Sequence, residues 1–422
     1  MTQTLTAGDE TPPPHRTSPP SPAQQPPQTP PSPQGPPSPQ GPPADQPQQA
    51  SRAPLRADSP ASLLAIIPLL LGFRPEASLV LIGTEPPLHT VKVTLRYDLP
   101  DPSGAGIAAD IAAHALGVIG AQGLTTAVAV GYGPATLVDP VAGAMRDAAR
   151  HARIDLREFL RVEAGRYWSY VCGDKACCPA AGVPFDVSAP AAPAAAAGSP
   201  VLPDRAAVAA RVSPLGGITA ESMRQATRRA ERHVTQLLAK VRKSARRGAV
   251  RHLIAAEGLA EVGATIAAYR AGGRYATDYQ VAWVTVALRD LRVRDDAWAR
   301  MDPAYLDAHL RLWTDVTRRA QPGYVAAPAA LLAFVAWQSG DGALANVALD
   351  RALADDPRYS MALLLRQVIT AGAPPSLARL PMTPEEVAAS YDDAEAEDGR
   401  DDDGYDHELD LDVHDLDSDD EL

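Results

Sequence analysis

The sequence predicts an α/β domain followed by an all-α helical array with tetratricopeptide-like packing near its end, flanked by disordered tails. From residue 55 to 188, short apolar runs typical of strands alternate with stretches of helical periodicity. From 204 to 376, apolar residues recur every three or four positions, as they do in amphipathic helices. The alanine- and proline-rich segment 189–203 has neither pattern, and we interpret it as a linker between two domains.

The two ends of the chain differ from the middle in composition. Seventeen of the 42 prolines lie between residues 11 and 50, interleaved with Gln, Ser and Gly. Such a segment cannot bury enough apolar surface to offset the entropy lost on ordering, so we expect a disordered tail over 1–54. Nineteen of the 51 acidic residues lie in 385–422, and the net charge of −12 therefore comes from that end. We expect 377–422 to form a second, acidic disordered tail.

The most apolar run of the chain is ASLLAIIPLLLGF, over residues 61–73. Pro68 interrupts the run, and it is shorter than the roughly 18 residues that a membrane span needs. We therefore predict a buried helix and a turn. The chain opens without a secretion signal and holds three cysteines, an odd number. These features favour the reducing cytoplasm and no membrane partner.

Strands and helices alternate along the first predicted domain. SLVLIG (78–83) indicates a buried strand, and TVKVTLRYD (90–98) alternates apolar and polar residues like a half-exposed strand. The prolines between these two runs favour a hairpin. A helix over 106–120 and a buried strand over 125–133 follow.

The second half of this domain predicts one more helix and two more strands. Asp139 is placed to cap a helix over 139–151, because Pro140 would then occupy the first helical position. The segment 156–171 predicts two strands that turn at Ala164-Gly165.

The second predicted domain begins with a helix over 219–241, which carries one apolar stripe and one basic face. Within 327–357, the turn residues Gly340-Asp341 and the closing Pro357 have the spacing of one tetratricopeptide-type repeat. Further helices are predicted at 254–271, 278–291, 303–319, 327–339, 342–355 and 359–370.

Several stretches carry a resemblance to a known family. They are PLLLGFRPEASLVLIG (68–83), LRYDLP (95–100), GRYWSYVCGDKACCP (165–179) and, in the C-terminal half, AWQSGDG (336–342). The chain resembles an actinobacterial family known as "domain of unknown function 4192" over about residues 55–372. The resemblance implies membership of a family without an established activity, cofactor or substrate.

All three cysteines lie within seven residues, at Cys172, Cys177 and Cys178. Thiolates bind zinc, so the cluster is a candidate metal site that lacks one of the four usual ligands. Two alternatives remain open: a compact loop packed under the preceding aromatic residues, and redox or nucleophilic chemistry of the thiols. The candidates for a fourth ligand are His114, His151 and Asp174.

Four polar or aromatic residues of the α/β domain are candidates for binding a small ligand. Arg74, Arg96 and Asp98 lie near predicted strand ends, and Trp168 precedes the cysteine loop. In the alternative interpretation, Arg96 and Asp98 form a structural ion pair on one strand face. The sequence has no nucleophile elbow, phosphate-binding loop or H-E-x-x-H motif, so no catalytic residue and no reaction are predicted.

The first helix of the second domain is strongly basic. Ten Lys and Arg residues lie in 224–252 against a single acidic residue, Glu231. This face is solvated, or it binds the acidic tail of the same chain, or it binds nucleic acid through phosphates. The residues assigned to it are Arg224, Arg228, Arg232, Lys243, Arg246 and Arg247.

The leading functional hypothesis is a non-catalytic interaction or regulatory protein. It would meet an unidentified protein partner through its helical array and charged tails. One alternative is an enzyme, or a small-ligand or zinc-binding protein, with its site in the α/β domain near the cysteine loop. Another is a nucleic-acid-binding protein whose basic helix is also a binding site for the acidic tail.

Overall fold

A computed structural model describes residues 59–87, 90–103, 105–186, 201–242, 247–273, 276–375 and 382–401. The predicted tail over 1–54, most of the predicted linker and the acidic residues beyond Asp401 lie outside the described residues. The described part contains six strands and thirteen α-helices. None of these helices combines the length and the apolar character that a membrane span requires.

The six strands form one mixed sheet, in the order β2-β1-β3-β4-β5-β6. Strands β3 and β4 pair in parallel, and the other neighbours pair antiparallel. The predicted hairpins, β1 with β2 and β4 with β5, are both present, and the second turns at Ala164-Gly165 as predicted. The strands are β1 (Ser78–Glu85), β2 (Thr90–Asp98), β3 (Thr126–Tyr132), β4 (Asp155–Glu163), β5 (Arg166–Ser169) and β6 (Val183–Pro184).

Helices cover both faces of the sheet. Successive strand side chains point to opposite faces, so β1 contributes to two separate cores. Leu79 and Leu81 pack with α2 (Ala105–Ala121) and α3 (Ala135–Ala152). Val80 and Ile82 pack with α1 (Pro60–Leu71) on the other face. This double burial explains why the β1 sequence is a continuous apolar run instead of an alternating one.

Helix α3 begins four residues earlier than the sequence predicted. Asp139 was expected to cap the helix, but Pro134 occupies the cap position and Pro140 lies inside the helix. The Asp139 carboxylate accepts a hydrogen bond from the hydroxyl of Tyr170, which follows β5. The cap prediction was wrong because Asp139 has a tertiary partner about thirty residues away, which local sequence cannot reveal.

Ten further helices follow the sheet. The apolar stripe predicted for the basic helix is confirmed, since Met223, Ala226, Ala230 and Leu237 are buried. A short 3-10 helix (Pro303–Tyr305) precedes α9. The helices are α4 (Arg205–Ala210), α5 (Gly217–Arg242), α6 (Arg247–Arg270), α7 (Asp278–Ala287), α8 (Leu291–Ala299), α9 (Leu306–Arg319), α10 (Ala326–Gln338), α11 (Gly342–Asp355), α12 (Ser360–Thr370) and α13 (Pro384–Asp401).

The predicted helix over 278–291 ends earlier in the structure, and a second helix that was not predicted, α8, follows it. Helix α7 ends at Ala287, and α8 begins at Leu291. Asp290 separates them, because its carboxylate accepts hydrogen bonds from the backbone N–H groups of Arg292 and Val293. Asp290 is therefore the N-cap of α8. An N-cap residue has a non-helical backbone, so α7 cannot continue through it.

Helix α13 lies in the segment that the sequence predicted as a disordered acidic tail. Thr383 and Glu386 form a reciprocal capping box at its start. Val387 is only 3% exposed, and the hydroxyl of Tyr391 donates to Asp295 of α8 at 2.6 Å. The disorder prediction was therefore wrong for this helix. The acidic composition does not indicate the buried Val387, the hydrogen bond of Tyr391 or the capping box.

Helix α10 lies at the centre of the helical half, with every residue from Ala326 to Trp337 buried. It packs against α9 and α11, and it turns into α11 at Gly340 and Asp341, as predicted. Its N-terminus is capped from another helix. The Asp355 carboxylate of α11 accepts the backbone N–H groups of Gly323 (2.8 Å), Val325 (2.8 Å) and Ala326 (3.1 Å).

We predict that Asp355→Ala lowers the free energy of unfolding by about 2–3 kcal/mol, because three backbone donors at a buried helix end would lose a charged acceptor. Urea unfolding of the full chain measures the change. Asp356→Ala is the matched control, since the Asp356 carboxylate accepts the exposed N–H of Arg358, and its loss should cost far less. Equal losses for the two variants would contradict the cap.

Candidate functional site

The cysteine loop joins β5 to β6, and the side chains of β5 hold its end in place. The indole Nε1 of Trp168 donates to the carbonyl oxygen of Ala180 at 3.0 Å. The guanidinium of Arg166 donates to the carbonyl oxygens of Ala181 (3.1 Å) and Gly182 (2.9 Å). Two residues at positions i and i+2 of the strand thus bind three successive carbonyl groups, which ties the returning chain to the sheet.

Trp168 lies between a cation and a glycine. The guanidinium carbon of Arg161 is 3.7 Å from the centre of the Trp168 ring. On the other side, a Cβ atom at Gly182 would fall 2.5 Å from the ring, and Gly182 has φ of +75°. Only glycine satisfies both the close approach and the left-handed backbone. Trp168 therefore anchors the loop.

Turns inside the loop bring the cysteines together. The Ser169 hydroxyl accepts the N–H of Cys172 at 2.9 Å and donates to Glu158 at 2.6 Å. The Asp174 carbonyl accepts the N–H of Cys178 at 2.7 Å. The Asp174 side chain accepts the N–H of Ala176 at 2.8 Å. These bonds reverse the chain between the first cysteine and the adjacent pair.

The three sulfur atoms form a compact cluster. The Sγ atoms of Cys172, Cys177 and Cys178 all lie within 4.8 Å of one another, and all three residues are free thiols. Cys177 is exposed, and the other two are half-buried. A tetrahedral zinc ion with Zn–S bonds of about 2.3 Å separates its sulfur ligands by about 3.8 Å. The observed spacing is within about 1 Å of that requirement.

The environment of the cluster disfavours three negative charges without a cation. Burial raises the pKa of the Cys178 thiol to about 12, and its hydrogen bonds with Cys172 and Cys177 add to the increase. Burial and the negative charge of Cys178 and Cys177 also raise the pKa of Tyr167. A thiol with such a pKa is protonated at neutral pH and is a poor nucleophile. A bound metal ion would supply the missing positive charge.

The histidines proposed as fourth ligands lie elsewhere. His114 Nδ1 is 2.8 Å from the hydroxyl of Tyr97, and His151 Nδ1 is 2.7 Å from the carbonyl oxygen of Asp147. Neither belongs to the thiol cluster, which contains three ligand atoms within the described part of the chain. Asp174 shapes the loop through its own hydrogen bonds. Three thiolates leave one position of a tetrahedral ion open.

The predicted ligand-binding residues do not form one site. Arg96 pairs with Asp98 at 2.5 Å, as the ion-pair interpretation expected, and with Arg74 it lines a cavity of about 290 Å³. Trp168 lies on β5, four strand spacings from β2, or roughly 19 Å at about 4.8 Å each. The cavity and the cysteine loop are therefore at opposite edges of the sheet. Arg74, Arg96 and Trp168 were grouped on the chemistry of their side chains alone. The strand order shows that Trp168 is not near the other two.

Comparison with protein families adds one result. The family model described as "Domain of unknown function (DUF4192)" matches residues 60–376. The chain belongs to the DUF4192 family. No curated protein and no solved structure matches it. The match in this DUF4192 protein spans the sheet and helices α1 to α12, and α13 lies beyond it.

A cleft between α5, α6 and α7 contains a histidine to which the sequence assigned no role. His233 Nε2 lies 2.6 Å from the Glu257 carboxylate, and its ring packs edge-on against Trp283 at 5.0 Å. The cleft has a volume of about 500 Å³, and Tyr279 and Glu261 also line it. The sequence carried no signal for this pair, because the partners are on different helices.

The basic face of α5 is partly free of partners. Arg224 pairs with Glu221 on the same helix. Arg228 and Arg232 are exposed, and no carboxylate of the described residues lies within ion-pair distance of either. Lys243 and Arg246 lie outside the described residues, and of Arg247 only the backbone, at the start of α6, is described.

A contact between the acidic tail and this basic face was one of the alternatives, and the tail side chains that the structure describes, up to residue 393, do not make it. Helix α13 packs on α8, where Asp392 pairs with Arg292 at 2.8 Å. The acidic residues beyond Asp401 lie outside the described residues.

We predict that Gly182→Ala destabilises the protein by about 2–4 kcal/mol, because the new methyl group would displace Trp168 in an already left-handed backbone. Urea unfolding measures the loss, and hydrogen exchange should show faster exchange in the cysteine loop. Gly173→Ala in the same loop is the control, since no atom lies within 4 Å of its Cβ position. A Gly182→Ala variant with wild-type stability and wild-type hydrogen exchange would contradict the anchoring role of Trp168.

Proposed function

We propose that this DUF4192 protein is a non-catalytic binding protein that holds a zinc ion on Cys172, Cys177 and Cys178. The single observation that carries this proposal is the approach of all three Sγ atoms to within 4.8 Å of one another, without a disulfide. Three neutral thiols gain little from such an arrangement. A shared cation makes it favourable, because each thiolate then has a positively charged partner.

Zinc fits the ligands better than other common ions. Thiolates are soft ligands, and they favour zinc over magnesium or calcium, which bind oxygen. Because Cys177 is exposed, water or a side chain of a binding partner would complete the fourth position of the ion. The proposal places the protein in the cytoplasm, where thiols remain reduced and available to the metal.

The ion would link two ends of one loop at the edge of the sheet. Cys172 follows β5 closely, whereas Cys177 and Cys178 lead toward β6 through the segment that Trp168 anchors. A metal ion would therefore stabilise the loop and the short strand β6. This role is structural, and it requires no reaction at the site.

The test is the metal content of the full chain purified without oxygen. We expect about one zinc ion per chain by plasma mass spectrometry. Cys172→Ser and Cys177→Ser should each reduce the content several-fold, while Lys175→Ala in the same loop should keep it. Cobalt added to the apo-protein should produce a thiolate charge-transfer absorption that the serine variants lack. Zinc or iron well below one ion per chain in the wild type would contradict the proposal.

The proposal also fixes the direction of the pH dependence. The Cys178 thiol must lose its proton when the metal binds, and its pKa is raised to about 12. Zinc affinity should therefore fall at least about tenfold for each pH unit between 8 and 6, because each displaced proton contributes one such factor. Competition with a zinc chelator at several pH values measures this slope, and a flat profile would contradict thiolate ligation.

A second candidate function is the binding of an anionic partner by the basic face of α5. Its support is that Arg228 and Arg232 are exposed and have no carboxylate partner among the described residues. The other helices, with the tetratricopeptide-like arrangement proposed for α10 and α11, would serve as a rigid support. We infer that the partner is a protein with an acidic surface, and nucleic acid is the alternative.

Two probes test the basic face, duplex DNA and poly-glutamate, each titrated at several salt concentrations. We expect Arg228→Ala/Arg232→Ala to weaken the binding of at least one probe about fivefold and to reduce the salt dependence. Arg146→Ala/Arg358→Ala is the charge-matched control, because both arginines are exposed on other elements. Removal of residues 402–422 should strengthen binding if the tail competes. Failure of both probes to bind at low salt would contradict this function.

A further inference from the structure

The cavity at the β2 edge of the sheet is built from three separate parts of the chain. Residues 73–76 follow α1, Arg96 comes from β2, and residues 204–206 begin the helical half. Backbone hydrogen bonds join the first of these parts to the chain just before the third. The N–H of Leu202 donates to the carbonyl oxygen of Gly72 at 2.9 Å, and the N–H of Arg74 donates to that of Leu202 at 3.1 Å.

Three guanidinium groups converge on this cavity. Arg96 has a side chain that is only 17% exposed, and its Nε donates to the Ser78 hydroxyl at 2.9 Å. Arg205 pairs with Asp350 at 2.9 Å. Arg74 is exposed and has no ion-pair or hydrogen-bond partner for its guanidinium in the described part of the chain. Two of the three cations are thus held in place, and the third is available.

Of the two carboxylates that line the cavity, one has a hydrogen-bond partner and the other has none among the described residues. Asp204 is engaged, because it accepts the N–H of Ala207 at 2.7 Å and caps α4. The side chain of Glu76 is exposed, with no partner among the described residues. The lining therefore carries three positive and two negative charges. This excess favours a ligand with a single anionic group, and Glu76 opposes a second one.

We propose that this cavity binds a small molecule through one carboxylate or phosphate group, held by Arg74 and Arg205 with Arg96 behind them. A guanidinium donates two parallel hydrogen bonds to either group, which a single ammonium cannot do. The cavity volume of about 290 Å³ is at the low end for small-molecule sites, so the ligand is small. Clefts where two parts of a fold meet are common places for such sites.

A purely structural role for these arginines explains less. Arg96 and Arg205 already have acidic partners, so the structure does not need Arg74 to complete an ion-pair network. Arg74 instead supplies the unpaired cation that gives the lining its excess of one positive charge. The cavity is at the opposite edge of the sheet from the cysteine loop. A negative result for zinc binding would therefore leave the proposal for this cavity unchanged.

Calorimetric titration of the full chain with inorganic phosphate and, separately, with acetate tests the proposal at constant ionic strength. We expect saturable binding of at least one probe. Arg74→Ala should weaken that binding about tenfold, and Glu76→Gln should strengthen it, since one variant removes a cation and the other removes an opposing charge. Arg358→Ala, an exposed arginine elsewhere, should leave the affinity unchanged.

Both cavity substitutions are at exposed positions, so the melting temperature should stay at the wild-type value and show that the fold is intact. The stronger of the two probes identifies the anionic group of the ligand as phosphate or carboxylate. The proposal is overturned if neither probe binds saturably, or if Arg74→Ala and Arg358→Ala have the same affinity as the wild type.

Discussion

The burial of β1 on both faces is the constraint on which the rest of this structure depends. Leu79 and Leu81 face α2 and α3, and Val80 and Ile82 face α1, so this interior strand has no surface that could serve as a site. The neighbouring strand β3 is also largely buried, whereas β2 on the other side is partly exposed. Polar chemistry is consequently displaced to the two edges of the sheet, where strand ends and loops meet solvent.

The two edges carry different chemistry. At the β5–β6 edge, Trp168 and Arg166 hold a loop that brings three sulfur atoms together. At the β2 edge, Arg74 and Arg96 meet the start of the helical half across a small cavity. Each site combines residues fixed by secondary structure with residues from a returning segment. Their positions follow from strand order, and neither depends on the other for its geometry.

The helical half depends on caps and contacts supplied by distant residues. Asp355 caps α10 from another helix, and His233 on α5 pairs with Glu257 on α6. Helix α13, rich in acidic residues, docks on α8 through Val387 and Tyr391. Helical periodicity predicts that these segments are helices. It does not predict which side chain of one helix caps or pairs with another helix, because such partners are not close in sequence.

The sequence by itself determined the class of each half, most of the helices, both hairpins and the clustering of the thiols within one loop. Periodicity and turn residues are local properties, so a single chain displays them directly. Tertiary structure alone decided that Asp139 bonds to Tyr170 instead of capping α3, and that Trp168 is far from Arg96. It also brought Arg205 into the cavity of Arg74. Strand order and helix docking bring together residues that are more than a hundred positions apart, and no local pattern encodes that proximity.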